Sequence, residues 1–383
     1  MMMRQDPYGA LRTRPPVPAF FPVDSDIGGG LRRRSPAKLR VAHFPALSGP
    51  SGIWGIASVN SAMLAASEIN RRGGILGREI ELTVHDAGGA PDVVAHEAAR
   101  LIDDDDADVI MGCHISAVRL AVRRAVAGRI PYVYTPIYEG GERMPGVLAI
   151  GETPSRQARP AIQWLAEHKN ARRWYLIGSD YVWPWLSHRA VKRYIAESGG
   201  EVVGEDFVAL GEHDHTPHFE RIRRARPDVV FISLIGVDGI VFNRAFGEHG
   251  LSRHMLRLAN CVDETVLLGV GAENTENLFA ASGYFERHHS AASEHFQGLY
   301  HEAYGPTAPV PGATAQSNYE GLRFLEAVMR RASGGDVLAL TRAADGIVYR
   351  GGRGEVGMRR GRMEMPIFFA EADGFDFRLR ARF

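Results

Sequence analysis

The sequence predicts an α/β protein built on parallel sheets and divided into two domains. Three observations carry this. From Leu39 onward, short apolar runs alternate with amphipathic helical stretches, the order that makes βαβ units. Several of those runs lead straight into a helical pattern, as where Ala107-Asp-Val-Ile-Met-Gly112 meets Cys113-His-Ile-Ser116. The chain has 383 residues, too many for one ordinary domain and suited to two.

In chain order, Leu39–Phe44 reads as a buried strand. Ile56–Arg72 carries Val59, Met63, Ala66 and Ile69 at helical spacing, and Gly73-Gly74 ends it. Ile80–Val84 is the next strand, and Pro91–Ile102 a helix with proline in its first turn. The alternation continues through Tyr132–Tyr134, Ala158–His168, Trp174–Ile177, Ser187–Ser198, Val202–Phe207, a helix near His218–Ala225, and Val229–Leu234. Glu294–Tyr304 and Ser317–Ala332 then follow as helix upon helix. The tail from Asp345 is rich in Gly and Arg, with strand-like pieces at Ile347–Tyr349 and Ile367–Ala370. Late helices that complete an early sheet would make the chain cross between its halves more than once.

Composition narrows the function. Apolar residues make up 45% and charged residues 23%, ordinary globular values. Lys+Arg 45 against Asp+Glu 45 argues against a direct nucleic-acid or anionic-membrane partner. The 2 cysteines, Cys113 and Cys261, suit buried thiols rather than a disulfide framework. Met1–Lys38 is rich in Arg, Pro and Gly and lacks the continuous apolar core of a secretory signal. It reads as a disordered leader on a cytoplasmic protein. A start further upstream that encodes an apolar leader would move the address to the periplasm.

A strand ending at a helix N-terminus leaves unpaired N–H groups around one spot, and ligands of open α/β sheets sit at such strand ends. Ser116 occupies an expected N-cap position, where its hydroxyl either caps the helix or receives a ligand carbonyl. Tyr134 and Tyr181 follow strands and either pack between domains or aim a phenol at a ligand. Trp183 beside Pro184 supplies a rigid apolar wall, and His114 is either a contact or wall filling. Such a pocket suits a small, mainly uncharged ligand. Asp238 and Asp263 are strand-end carboxylates. Capping or a turn is the plainer role; pairing with a ligand ammonium would mark an amino-acid binder.

Other motifs carry less. His213-Asp-His-Thr-Pro-His218 fits no strong zinc spacing and reads as a solvated loop. Gly352-Arg-Gly-Glu-Val-Gly357 matches a dinucleotide pattern in letters but precedes no helix. There is no P-loop, no Gly-x-Ser-x-Gly elbow and no evident nucleophile–base pair in one loop. No cofactor, no metal and no enzymatic activity are expected.

Four stretches carry a family resemblance. They are Glu68-Ile-Asn-Arg-Arg-Gly-Gly-Ile-Leu-Gly-Arg78, Gly112-Cys-His-Ile-Ser116, Tyr134 through Tyr138-Glu-Gly140, and Gly178-Ser-Asp-Tyr-Val-Trp-Pro184. Together they resemble type I periplasmic binding proteins, in particular the branch of amide sensors and urea-transporter binding proteins. The resemblance implies the type I fold: two Rossmann-like lobes joined by a multi-strand hinge, with ligand in the cleft. It implies a leader over 1–38, lobe one over 39–156 and 286–337, and lobe two over 157–285 with the completion and tail over 338–383. It implies that Ser116, Tyr134 and Tyr181 hydrogen-bond a small amide. Around Thr135-Pro136-Ile137 the spacing differs by one residue from the amide sensors' pattern, and His114 stands where they carry an aromatic residue. The expected function is a cytoplasmic sensor that closes around a short amide or urea and signals to a regulatory protein, such as an RNA-binding antiterminator. The alternative is the substrate-binding component of an ABC importer for urea, amides or branched-chain amino acids, with a permease as partner. A homodimer is left open.

Overall fold

The computed structural model describes residues 37–287 and 290–383. Most of the expected leader therefore lies outside the described residues, but Lys38, placed in it above, is the first residue of a strand.

Lobe one begins with β1 (Lys38–Pro45), a 3-10 turn at Pro50–Trp54, α1 (Gly55–Arg71), β2 (Glu79–Val84), α2 (Pro91–Asp103), β3 (Val109–Cys113), α3 (Ser116–Val126), β4 (Tyr132–Tyr134) and β5 (Val147–Ala149). Its sheet runs β2-β1-β3-β4-β5, parallel throughout. β3 and β4 are buried at every residue, as strands covered by helices on both faces must be. α1 stops where Gly73 and Gly74 take φ of 90° and 72°. A Cβ on Gly74 would sit 2.0 Å from the Arg78 carbonyl oxygen, so only glycine closes this turn.

Lobe two repeats the device: α4 (Ala158–His168), β6 (Arg173–Ser179), α5 (Val182–Glu197), β7 (Glu201–Val208), α6 (Thr216–Ala225), β8 (Val229–Ser233), α7 (Gly236–Glu248), β9 (Leu256–Ala259), α8 (Glu264–Val270) and β10 (Leu278–Ser282). The chain then returns to lobe one with α9 (Ala291–Tyr304), α10 (Ala313–Ala332), which packs along α1, and α11 (Val337–Ala344). A small antiparallel sheet of β11 (Ile347–Gly351), β12 (Gly354–Arg359) and β13 (Arg362–Glu364) lies against α10. Finally β14 (Phe368–Asp373) and β15 (Asp376–Arg382) add two antiparallel strands to lobe two, giving the order β15-β14-β10-β9-β8-β6-β7. The chain thus crosses between lobes after β5, after β10 and after β13. No helix among the described residues is long and apolar enough to cross a membrane.

The strand order places the cleft. In lobe one the order reverses between β1 and β3, and in lobe two between β6 and β8. Helices leave these strand pairs on opposite faces, so a crevice opens at their carboxyl ends. The two crevices face each other. At their meeting point Gly236 has φ 54°, and a Cβ there would lie 1.9 Å from the Pro50 carbonyl oxygen. Trp54 is buried in the apolar cluster of lobe two.

Candidate functional site

The cleft between the lobes encloses a cavity of about 30 Å³. Lobe one contributes Cys113, His114, Ser116 and Tyr134 to its wall; lobe two contributes Tyr181, Trp183, Ile235 and Cys261. Trp54 and Ser51, from the turn after β1, complete it. A second cavity of about 20 Å³ adjoins it, sharing Pro136, Ile137, Cys261 and Thr314 and reaching Glu152, Asn260 and Asp263.

Five of the eight predicted residues, His114, Ser116, Tyr134, Tyr181 and Trp183, therefore meet at one place. Their roles differ in detail from expectation. Ile115, with extended backbone, is the N-cap of α3; Ser116 is the first helical residue and makes no capping bond. Its hydroxyl donates instead to Glu139 Oε2 at 2.7 Å. Tyr134 ends β4 and donates its phenol to the His114 carbonyl oxygen at 2.7 Å. The His114 ring turns back over β3, with Nε2 3.1 Å from the Tyr132 hydroxyl and 2.5 Å from where a Cβ on Gly112 would lie. Burial holds its pKa down at about 3, so the imidazole is neutral.

Tyr181 is the N-cap residue of α5, and Trp183 follows in the first turn. Both are buried, yet no hydrogen bond to another described residue engages the Tyr181 hydroxyl or Trp183 Nε1. They are the uncommitted side-chain donors of the lobe-two wall.

Three predicted residues stand outside this cavity. Thr135 sits behind it, donating to the Gly112 carbonyl at 3.4 Å and accepting from Ser317 at 3.1 Å. Asp238, in the first turn of α7, accepts from the Gly211 N–H at 3.1 Å, and its other oxygen is buried without a partner. Asp263 lines the adjoining cavity. It caps α8 by accepting from the Val266 N–H at 3.3 Å, and reaches across the cleft to Trp54 Nε1 at 3.1 Å and the Thr314 N–H at 3.5 Å. The plainer capping role holds for Asp263, and a latch between lobes comes with it. Burial raises both carboxyls above their ordinary value.

The sequence reading missed Trp54, Ser51 and Glu139. The first two follow a strand end, Pro45, in a Ser/Gly/Pro-rich loop, a signal that was there to use. Both cysteines, read as plain buried thiols, also line the cavity, and burial pushes both thiols up, which keeps them protonated. The first cavity has no ionised side chain in its wall: its groups are apolar, hydroxyl, thiol, indole and neutral imidazole.

Two doubly wound lobes, a multi-strand crossing and a cleft walled by both define a two-lobed binding protein. The chain belongs to the periplasmic binding protein family, whose sequence pattern matches residues 38–376. It is similar to the Leu/Ile/Val-binding protein BraC3 of Rhizobium johnstonii, 25% identical over 245 residues. That match spans 63% of this chain and 63% of that relative's length. Among solved structures it resembles a periplasmic binding protein from Burkholderia mallei, with TM-score 0.82 and 16% identity over 91% of this chain and 95% of that one. It resembles equally the solute binding protein of an ABC transporter from Rhodopseudomonas palustris HaA2, solved with p-hydroxybenzoic acid. There the TM-score is 0.82, with 21% identity over 90% of this chain and 97% of that one. The family is one of binding proteins, not of enzymes.

Proposed function

We propose that the protein is the substrate-binding component of an ABC importer, that its ligand is a short uncharged amide or urea, and that a permease reads the closed form. The importer role is supported by the relatives: one is named for binding Leu, Ile and Val, and one structural neighbour is the binding protein of an ABC transporter. It replaces the cytoplasmic sensor as the leading reading and carries an address outside the cytoplasmic membrane.

The observation that carries the ligand class is a cavity of about 30 Å³ without an ionised wall group. An engineered apolar cavity that takes benzene measures about 150 Å³ by the same kind of measure. Acetamide and urea suit the smaller space; leucine and a hydroxybenzoate need the lobes to part. A zwitterion would also need a free carboxylate, and Asp263 already holds Trp54, Val266 and Thr314. A branched-chain amino acid is the second reading, favoured by the name of the Rhizobium relative. Its carboxylate would face the N-terminus of α3 and its ammonium the Asp263 cavity. Titration calorimetry with acetamide, urea, leucine and 4-hydroxybenzoate decides. Heat from the first two is expected; tight leucine with silent amides would move the protein to the second reading.

Tyr181→Phe is expected to weaken the amide by roughly 0.5–1.5 kcal/mol. The melting temperature should hold, because the phenol hydroxyl has no hydrogen bond to lose among the described residues. Tyr134→Phe is the contrast: it deletes the bond to the His114 carbonyl and should lower stability by about 1 kcal/mol. Equal melting losses in the two variants would show that Tyr181 is not the free donor.

A further inference from the structure

We infer that Glu139 is a specificity-determining residue: by fixing the Ser116 hydroxyl it makes the lobe-one wall an acceptor surface, which selects a ligand that donates there, an amide NH₂ rather than a carboxylate. The inference rests on the small-amide reading and deepens it.

The argument begins with where protons point. An ionised carboxylate only accepts, so in the 2.7 Å contact Ser116 is the donor and its single proton is committed to Glu139 Oε2. Tyr134, whose phenol lies against Ser116, commits its own proton to the His114 carbonyl. Both hydroxyls turn lone pairs to whatever lies between the lobes. Across the cleft the situation is reversed: Tyr181 O–H and Trp183 Nε1–H are uncommitted. A primary amide matches both walls at once, giving N–H to lobe one and taking hydrogen bonds on its carbonyl from lobe two. A carboxylate has no proton to give.

Charge points the same way. Glu139 is held by Arg119, which also pairs with Glu142, and the side chains of all three are at most 4% exposed. Arg119 lies 5.5 Å from the Tyr134 ring centroid and 5.4 Å from that of Tyr138, which fixes it in place. Glu139 and Glu142 are balanced in formal charge by Arg119 and Arg123, so the group that Ser116 meets is the Glu139 carboxylate itself and not a net charge of the cluster. Arg123 bonds Glu142 from the solvent side, where its side chain is 30% exposed, and Arg362 acts on the neighbouring Tyr138. The N–H groups opening α3 favour an anion with about half a unit charge. The Glu139 carboxylate, which touches Ser116 directly at 2.7 Å, opposes them.

The test compares isosteric pairs, acetamide against acetate and formamide against formate, by calorimetry at neutral pH on the full chain. Wild type should bind the amide of a pair at least about tenfold tighter, a difference of about 1.4 kcal/mol. Glu139→Gln keeps the shape, removes the charge and offers a group that can give or take a hydrogen bond, so Ser116 is released. The amide-to-acid ratio should fall several-fold while acetamide itself weakens much less. Should that variant fail to fold, Ser116→Ala carries the test: acetamide must weaken more than about fivefold and acetate far less. Wild type taking an acid as tightly as its amide, or a folded Glu139→Gln keeping the ratio, would overturn the inference alone. Silence from all four ligands would overturn the amide reading and this inference with it.

Discussion

Replacing Arg353 with methionine is expected to cost roughly 3–5 kcal/mol of folding stability. The residue sits in the tight turn between β11 and β12, yet its guanidinium is buried where the lobes join. Nη1 donates to Glu152 Oε1 at 2.8 Å, Nε to Gln316 Oε1 at 2.6 Å and Nη2 to the Ala313 carbonyl at 2.9 Å. Glu152 lies in the first crossing between lobes. The same carboxylate oxygen accepts from the Gly283 N–H at 2.9 Å, in the second crossing. Met365, whose sulfur is 3.5 Å from Nη1, lies in the third. One side chain therefore ties all three crossings to the start of α10. Methionine fills much of the space but leaves Glu152 buried without its cation, and an unpaired buried charge is the costly outcome. The double variant Arg353→Met with Glu152→Gln should recover a large part of the loss, because the orphaned charge goes with the arginine. Chemical unfolding measures both. A loss below about 1 kcal/mol for the single variant would mean the pair behaves like a surface ion pair and the hinge is held elsewhere.

Arg353 also shows where sequence reading stops. Gly352–Gly357 matches a dinucleotide pattern in letters, yet it forms the turn and the start of the second strand of a hairpin. Nothing in it announces that its arginine turns inward to partners about 37 and 201 residues away in sequence. The strands that were legible are those buried on both faces, such as Val229–Ser233, where an unbroken apolar run is the direct imprint of helices above and below. β9 was not legible. It has only four residues, Leu256–Ala259, and one is Arg257, which in a sequence signals surface. In the structure that guanidinium is fully buried; its two Nη groups donate to the carbonyl oxygens of Asn243, Asn274 and Glu276 at 2.6–3.0 Å, while Nε has no partner among the described residues. The site divides the same way. Ser116, Tyr134 and Tyr181 could be read because strand ends are local features. The Glu139–Arg119 pair could not, because the pairing forms only when α3 and the loop after β4 come together.

Thermal stability is expected to peak near pH 6–7 and to fall on the alkaline side chiefly through one carboxyl, that of Glu264. This residue opens α8 and is buried. Its Oε1 accepts from the Glu286 N–H at 2.7 Å, while Oε2 has no partner among the described residues. Burial, with the Asp263 charge beside it, pushes its pKa from 4.5 up to about 8. The folded state therefore holds this proton where the unfolded chain releases it. Its share of the stability is full below pH 4.5 and drains away as pH rises towards 8. The gap corresponds to at most about 5 kcal/mol, and relaxation around the charge reduces it to roughly 2–4. Buried histidines act with the opposite sign. His43, His114 and His215 are held down at about 4, 3 and 4, so their share is present above the unfolded value of 6.5 and lost as pH falls. His85 and His188 are held down as well, and Asp238, Asp263 and Glu286 are raised beside Glu264; between 4.5 and 6.5 the five imidazoles outweigh the four carboxyls, and above 6.5 only the carboxyls remain, which places the maximum. Glu264→Gln keeps the acceptor for Glu286 and cannot ionise, so it should flatten the decline between pH 6.5 and 8 and match wild type below pH 5. The consequence reaches the cleft. Asp263, the neighbour, holds Trp54 across the lobes, and a second negative charge beside it disturbs the carboxylate that bridges them. Ligand affinity should therefore weaken above pH 8 in wild type and stay level in Glu264→Gln. Parallel alkaline losses in the two proteins would free Glu264 from both roles.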